Sequence, residues 1–254
     1  MLTDTQIAQY HEDGYVIPEF RLGEDDLESI RWHHDRLVAK HPEFRNYCPS
    51  ILAHDLAFLN YARIPEVLDM VEQLIGPDIA LWNSSFFAKP ALEGFETPWH
   101  QDGEYWPLRP LATCTAWIAV DASTPENGCL RVIKGSHKAK RLRSHHTNSS
   151  PDLTLNQEID ADEFDESQAV DLVLDPGQIS LHDVYLTHGS SANGSPHPRR
   201  GMTLRYMPTT TVFDREFADE LRRDKGIMSH ADRTLFLVRG EDRSGGRNDF
   251  RLRL

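Results

Sequence analysis

The chain has few cysteines, no excess of positive charge and no long apolar run. Its 254 residues include three cysteines, an odd number without paired spacing, which argues against a disulfide framework and fits a reducing compartment. The formal net charge of −13 argues against a nucleic acid or an anionic membrane as the main partner. No apolar stretch approaches a membrane span, and the first residues carry no basic-then-apolar signal. We therefore expect a cytoplasmic protein that binds neither nucleic acid nor membrane.

Helical patterns dominate the first third of the chain. Thr3 and Gln6 have the spacing of a capping box, and Gly14 suits the end of the helix that follows. Apolar residues at helical spacing predict two further helices, over residues 25–40 and 65–75. We interpret residues 1–78 as a mainly helical N-terminal scaffold without chemistry of its own.

From residue 79 onward the pattern changes to short apolar or alternating runs separated by turns rich in Pro, Asn and Gly. The runs occupy residues 79–82, 85–88, 113–120, 129–133, 170–174, 178–181 and 202–206. Many short strands with regular turns indicate a sandwich or a jelly roll. We therefore expect a single, mostly β domain over residues 1–254, with its core at 79–210 and a C-terminal extension at 211–254.

A polar, acidic stretch at residues 138–168 interrupts the predicted core. Loops of this length inside a domain are usually functional or disordered. Two interpretations stay open at this point. The stretch is either a lid over the mouth of a site or a solvated insertion.

A histidine and an aspartate lie two residues apart in the sequence Trp99-His100-Gln101-Asp102. In a strand, residues i and i+2 point to the same face, so one short strand would aim His100 and Asp102 at one point and Gln101 away from it. His188, close to the end of a later strand, would complete a set of two histidines and one carboxylate. Such a set leaves metal positions open and suits non-heme Fe(II) oxygenases. His182 is the alternative third ligand.

A receptor for a carboxylate follows the second histidine. Arg199 comes eleven residues after His188, and in an extended segment it shares a face with Thr203. The planar guanidinium matches the geometry of a carboxylate, which a lysine cannot do. A dicarboxylate could then chelate the metal at one end and be held by Arg199 at the other, which is the behaviour expected of 2-oxoglutarate as co-substrate.

Several motifs in the same order resemble one known family. The stretch HQDGEYWPLRP at residues 100–110 resembles the metal-binding segment of the phytanoyl-CoA dioxygenase family. So do AWIAVD at 116–121, ENGCL at 126–130, KGSHK at 134–138, and HGS at 188–190 followed by Arg199. The opening DGYV at 13–16 and the closing LVRGED at 237–242 resemble bacterial members. The resemblance covers nearly the whole chain.

The resemblance implies a double-stranded β-helix, that is, a cupin-like jelly roll with N-terminal helices, and the use of Fe(II), 2-oxoglutarate and O2. Position by position, it implies that iron is bound by His100, Asp102 and His188. It also implies that 2-oxoglutarate is bound by Arg199, Thr203 and Trp117. The implied reaction hydroxylates an unactivated C–H bond of a small molecule and decarboxylates 2-oxoglutarate to succinate and CO2. Because Asp102 is present, iron has no vacant position for a halide, which argues against a halogenase.

Alternatives remain for the reaction and for the substrate. The same site could catalyse desaturation, epimerisation or ring formation, and a cupin-like jelly roll could bind a metal or a small ligand without oxidative chemistry. Tyr105 and Trp106 are either core aromatics or the floor of a substrate pocket. An acyl-CoA carries several phosphates and would need a basic rim around the site. The candidates for such a rim are Lys134, Lys138, Lys140, Arg141 and Arg143. Amino-acid derivatives, phosphonates and secondary metabolites stay equally open, and the sequence predicts no oligomeric state.

Overall fold

The helices agree with the sequence prediction to within a residue, except for one that the prediction missed. The computed structural model describes residues 1–253. It contains α1 (Asp4–Asp13), α2 (Glu24–Lys40), α3 (Pro65–Ile75) and α4 (Arg215–Lys225). The predicted capping box is formed, because the Thr3 hydroxyl accepts from the Gln6 backbone N–H at 3.2 Å and the Gln6 side chain accepts from the Thr3 N–H at 3.0 Å. Helix α4 lies in the predicted C-terminal extension. None of the helices in this described part is long and apolar enough to cross a membrane.

Two sheets make up the core. The strands are β1 (Tyr15–Val16), β2 (Tyr47–Cys48), β3 (Ile79–Lys89), β4 (Thr97–His100), β5 (Leu108–Arg109), β6 (Cys114–Ala119), β7 (Leu130–Ile133), β8 (His145–Thr147), β9 (Gln157–Ile159), β10 (Ala169–Leu172), β11 (Ile179–Asp183), β12 (His188–Ser190), β13 (Arg199–Pro208), β14 (Val212–Phe213), β15 (Leu235–Arg239) and β16 (Phe250–Arg253). The larger sheet has the order β1-β11-β6-β13-β3-β15-β16, with β2 also paired to β3. The smaller sheet has the order β10-β7-β12-β4. This is the predicted jelly roll.

Strand alternation in the larger sheet separates the core from the site. On β6, Cys114, Ala116 and Ile118 belong to the apolar core that also contains residues of α2 and α3, whereas Thr115 and Trp117 line a cavity on the opposite face. The even-numbered residues 202, 204 and 206 of β13 join the same core. The odd-numbered residues 199, 203 and 205 line the cavity. Because side chains alternate along a strand, one face of this sheet packs in the apolar core and the opposite face lines the cavity.

The two predicted strands at 79–82 and 85–88 are one strand, β3. The polar residues Asn83, Ser84 and Ser85 at the junction of the two predicted strands are buried rather than in a turn. The Ser84 hydroxyl donates to the Thr203 carbonyl at 2.7 Å, and the Ser85 N–H donates to the Thr203 hydroxyl at 3.1 Å. A strand covered on both faces shows no regular alternation of polar and apolar residues. The polar residues in its middle were therefore read as a break between two strands.

Candidate metal centre

Two paired strands of the smaller sheet bring the two histidines together. His100 ends β4, His188 begins β12, and the two residues are direct partners in this antiparallel pair. Their ring centroids are 4.2 Å apart. One ligand atom each from His100, Asp102 and His188 lies within 4.8 Å of the others, and all three residues are buried. Within residues 1–253 this is the one group of three or more His, Cys, Asp or Glu side chains with such a geometry.

The aspartate reaches this point by a turn, so the prediction that one strand carries both residues was wrong. Strand β4 ends at His100, and Asp102 is the first residue of a 3-10 turn at Asp102–Tyr105. The Glu104 N–H donates to the Gln101 carbonyl at 3.1 Å and closes this turn. The backbone therefore changes direction between the two side chains instead of continuing as a strand.

Gln101, to which the sequence assigned no role, fixes that turn. Its side chain is fully buried and points away from the metal site, as alternation predicted. The amide donates to the Tyr185 carbonyl at 2.7 Å and to the Arg141 carbonyl at 3.2 Å. Its oxygen accepts from the Arg143 N–H at 2.7 Å. Gln101 thus connects the turn to the segment between β11 and β12 and to the start of the 138–168 stretch.

Each histidine is held with one nitrogen free for a metal. The Nδ1 of His100 lies 2.8 Å from the Pro98 carbonyl, and the Nδ1 of His188 lies 2.8 Å from the Leu186 carbonyl. Because a carbonyl only accepts, Nδ1 carries the proton and Nε2 presents its lone pair, the usual arrangement of metal-binding histidines. The buried Nε2 of His100 has no hydrogen-bond partner. That orphaned atom fits a site built for a divalent cation.

The charges of the three groups also suit a cation. Burial opposes ionisation of Asp102, but the Arg205 guanidinium and the neighbouring His100 and His182 hold its pKa well below the ordinary value. Burial, together with the neighbouring His100, lowers the pKa of His188 to about 3. A carboxylate beside a neutral imidazole is the form in which these side chains bind metals.

His182, the alternative third ligand, lies beside the triad. It sits on β11, and its Nε2 is 3.8 Å from the Asp102 carboxylate. Its ring centroid is 5.3 Å from that of His188. The side chain is outside the group of converging ligand atoms. The geometry therefore favours His188 as the third ligand, and the assignment of the ligands stays a prediction.

The three residues expected to hold the co-substrate line the same cavity as the triad. Arg199 is 2% exposed, and its guanidinium donates to the carbonyls of Gly128 at 2.9 Å and Phe87 at 2.9 Å. It lies 5.4 Å from the centroid of the Trp117 ring. Thr203 lies on the same face of β13 as Arg199 and is the register partner of Trp117 on β6. The structure thus brings Arg199, Thr203 and Trp117 together, and their contact with 2-oxoglutarate stays a prediction.

A buried lysine that the sequence analysis missed lies beside Arg199. Lys89 is the register partner of Arg199 between β3 and β13 and is 1% exposed. Its ammonium donates to the carbonyls of Phe95 and Ser190. Burial and the neighbouring Arg199 lower the pKa of Lys89 well below its usual value, and burial lowers the pKa of Arg199 to about 10. The sequence contained a signal for this residue, because Lys89 ends an apolar strand. A lysine is rarely fully buried unless its charge is paired.

Neither of these two cations has a carboxylate partner among the described residues, since every ion pair found there involves other groups. Burying a charge without a counterion is costly. Of the two, Arg199 lines the cavity, so its guanidinium is the candidate partner for an anion. A carboxylate is the anion that the guanidinium geometry matches best.

A second cavity of about 410 Å³ adjoins the first. The two share Phe87, Asp102 and Arg205 in their linings. Tyr105 and Trp106 form part of the second cavity's wall, although both also belong to an apolar cluster, so both interpretations of these aromatics hold. Residues 148–150 and 153–156, in the loop between β8 and β9, line the cavity as well. The 138–168 stretch therefore covers this site, and its opening and closing as a lid stays a proposal.

The basic residues proposed as a rim for a coenzyme A group are mostly neutralised. Lys134 pairs with Asp13 at 3.2 Å, and Lys140 pairs with Asp183 at 2.6 Å. The other pairs are Lys138 with Glu12, and Arg141 and Arg143 with Glu163. Each of these cations already faces a carboxylate, so the cluster offers little net attraction for several phosphates.

Comparison with known proteins identifies the family. The family model described as Phytanoyl-CoA dioxygenase (PhyH) matches residues 2–201. The chain belongs to the phytanoyl-CoA dioxygenase family. It is similar to the peroxisomal phytanoyl-CoA dioxygenase of Homo sapiens, with 26% identity over 233 residues, covering 81% of this chain and 68% of the relative. The family predicted from the motifs is confirmed.

Solved structures show the same fold. EvdO2 from Micromonospora carbonacea var. aurantiaca, complexed with 2-oxoglutarate, matches with a TM-score of 0.70 and 21% identity, over 82% of this chain and 91% of that chain. EctD from S. alaskensis with bound Fe matches with a TM-score of 0.67 and 22% identity, over 84% and 79%. These likenesses confirm the cupin-like jelly roll predicted from the strand pattern.

Proposed function

We propose that this family member is an Fe(II)- and 2-oxoglutarate-dependent dioxygenase that hydroxylates an unactivated C–H bond of a small molecule. One observation carries the proposal. One cavity is lined both by the triad His100, Asp102 and His188 and by Arg199, whose guanidinium has no acidic partner among the described residues. A dicarboxylate could chelate the metal with one end and pair with the guanidinium at the other. The binding of Fe by one fold relative and of 2-oxoglutarate by another supports this cofactor set.

The ligand residues present a rigid, partly open set of donors. His100, Asp102 and His188 would hold Fe(II), and their orientation is fixed before the metal arrives, by carbonyls for the two imidazoles and by a closed turn for the carboxylate. Three protein ligands leave positions for 2-oxoglutarate and O2. When bound, Fe(II) would supply the oxidising chemistry, in which 2-oxoglutarate and O2 together yield succinate, CO2 and one oxygen atom for the substrate.

The residues at the far end would position the co-substrate. Arg199 would pair with its distal carboxylate, the Thr203 hydroxyl would add a hydrogen bond, and the Trp117 ring would form the side wall. Arg199 and Trp117 are both buried, so water would have little access to the distal carboxylate. A non-oxidative binding module has no need of such an anion site. We also keep the cytoplasm as the expected location.

Turnover of 2-oxoglutarate tests the proposal. Purified protein with Fe(II), ascorbate and O2 should release succinate and CO2 from 2-oxoglutarate, slowly without substrate and faster with it. His100→Ala, Asp102→Ala and His188→Ala should each abolish release, and Arg199→Met should raise the KM for 2-oxoglutarate at an unchanged iron content. Release that does not depend on iron, or that survives in His188→Ala, would contradict the proposal. Mass spectrometry of the product separates hydroxylation, which adds one oxygen atom, from desaturation, ring formation and epimerisation, which add none.

A further inference from the structure

A second buried arginine faces the reaction site. Arg205 lies on β13, on the same face as Arg199 and Thr203, and is 4% exposed. Its side chain lines both the metal cavity and the adjoining cavity of about 410 Å³. Arg205 has no part in the proposed binding of the metal or of 2-oxoglutarate. A group at the junction of the two cavities is placed to contact a substrate that lies in the larger one.

Most hydrogen-bonding capacity of this guanidinium is unused. Nη1 donates to the Ser85 hydroxyl at 2.6 Å, and the buried Nε has no partner. The carboxylate paired with it among residues 1–253 is that of Asp102, whose Oδ1 is 3.9 Å from Nη2, too far for a hydrogen bond. Asp102 would in addition share its charge with the metal. An arginine has five donors, so Arg205 keeps several for an anion.

The surroundings of Arg205 add positive charge and no second acid. Among the described residues that line the larger cavity, Asp102 is the one carboxylate. Behind the wall, the buried Arg233 donates to the side-chain amide oxygen of Asn83 at 2.6 Å and to the Nδ1 of His230 at 2.7 Å, while one of its terminal nitrogens has no partner. His230 itself lines the cavity. The cavity lining thus holds one cation, Arg205, and one carboxylate, Asp102, and a second arginine lies behind it.

The walls beside the guanidinium are aromatic. Arg205 lies 5.0 Å from the centroid of the Trp106 ring and 5.8 Å from that of Phe87, and Tyr47 and Tyr105 continue the same wall. These faces suit an apolar body attached to the anionic group. The volume lies near the lower end of the roughly 300–1,000 Å³ of small-molecule sites. The cavity thus fits one small molecule with an acidic end.

We propose that Arg205 binds a carboxylate of the substrate, and that the substrate is accordingly a small carboxylic acid with an apolar or aromatic body. The proposal rests on the proposed function, because the acid must lie beside the metal to be oxidised, and it names the substrate class of that site. It also separates the chain from enzymes that take coenzyme A thioesters, since a thioester has no free carboxylate at the acyl end and the basic rim is already paired.

Matched acids and amides test the proposal by binding alone. The probes are benzoate and benzamide, 3-phenylpropanoate and 3-phenylpropanamide, and octanoate and octanamide, titrated calorimetrically without O2 into protein that holds Fe(II) and 2-oxoglutarate. At least one acid should bind about tenfold or more tightly than its amide, which is the value of a charge-assisted hydrogen-bond pair. Arg205→Met should abolish that preference. The control Arg223→Met, which removes an exposed arginine of α4, should keep it.

Other outcomes overturn the proposal. An amide that binds as tightly as its acid, no acid that binds, or an unchanged preference in Arg205→Met would each do so. If Arg205→Met loses 2-oxoglutarate affinity as severely as Arg199→Met, the carboxylate bound at Arg205 is that of the co-substrate. Should Arg205→Met fail to fold, Arg205→Lys keeps the charge without the planar fork and should still weaken acid binding about tenfold. The titration repeated without metal keeps the two proposals apart, because an acid preference there, without any iron-dependent turnover, would sink only the proposed function.

Discussion

A methyl group added to Gly201 tests how the co-substrate end of the cavity is packed. Gly201 lies between Arg199 and Thr203 on the inner face of β13, and the Trp117 ring fills the space where its side chain would stand. A Cβ on Gly201 would be 2.1 Å from Cζ2 and 2.4 Å from Cε2 of that ring. The backbone of Gly201 has an ordinary strand conformation, so the effect of Gly201→Ala comes from the contact alone.

The size of the effect follows from that contact. Ordinary contacts of a Cβ begin at 3.4 Å, so the buried ring must withdraw by at least 1.3 Å (3.4 − 2.1). Overpacking of this kind typically costs about 1–3 kcal/mol. For a chain of this size, about 2 kcal/mol lowers Tm by roughly 4–8 °C. The displaced Trp117 ring would also narrow the cavity beside Arg199, and we expect about a tenfold loss of 2-oxoglutarate affinity.

Thermal unfolding followed by circular dichroism and anaerobic titration with 2-oxoglutarate measure the two effects. Gly194→Ala is the matched control, because nothing lies within 4 Å of the added Cβ. The double variant Gly201→Ala/Trp117→Phe should recover much of the loss, since phenylalanine lacks the ring atoms that clash. Wild-type Tm and 2-oxoglutarate affinity in Gly201→Ala would refute this packing of Trp117.

Two further predictions concern buried polar groups. Burial and the nearby Arg200 lower the pKa of His34 to about 4, so the unfolded chain binds the proton more readily than the folded one. The free energy of unfolding should therefore fall by about 2 kcal/mol between pH 7 and 5. Urea unfolding of His34→Leu should lack this part of the pH dependence, and a pH dependence identical to that of the wild type would refute the prediction. Gln101→Leu leaves the Tyr185 carbonyl and the Arg143 N–H unpaired, and it should weaken Fe(II) binding about 10–100-fold with all ligands intact. Unchanged metal affinity by equilibrium dialysis would show that Gln101 does not position the turn.

Regular elements were predictable from the sequence because their local rules are strong. The capping box of Thr3 and Gln6 identified α1, and the even spacing of Arg199 and Thr203 placed both on one face because β13 is a regular strand. The pairing of His188 with His100 could be proposed from the motifs. Their register across two strands distant in the sequence required the fold.

The failures have physical causes. The spacing of His100 and Asp102 suggested a strand, but the turn between them depends on the distant carbonyl groups that Gln101 reaches. Strand β3 was divided because its polar residues are buried by long-range hydrogen bonds. Lys89 and Arg205 are visible in the sequence as charges within apolar strands. Only the fold shows that both are buried and that Arg205 lines the cavity.

An anaerobic titration of metal-free protein with Fe(II) and then 2-oxoglutarate tests the proposed metal centre most directly. Chelation of the metal by the 2-oxo acid gives a weak visible charge-transfer band. We expect the band in the wild type and in His182→Ala, and its loss in His188→Ala. Iron binding without the band would contradict the co-substrate site, and a band that survives in His188→Ala but disappears in His182→Ala would show that His182 is the third ligand.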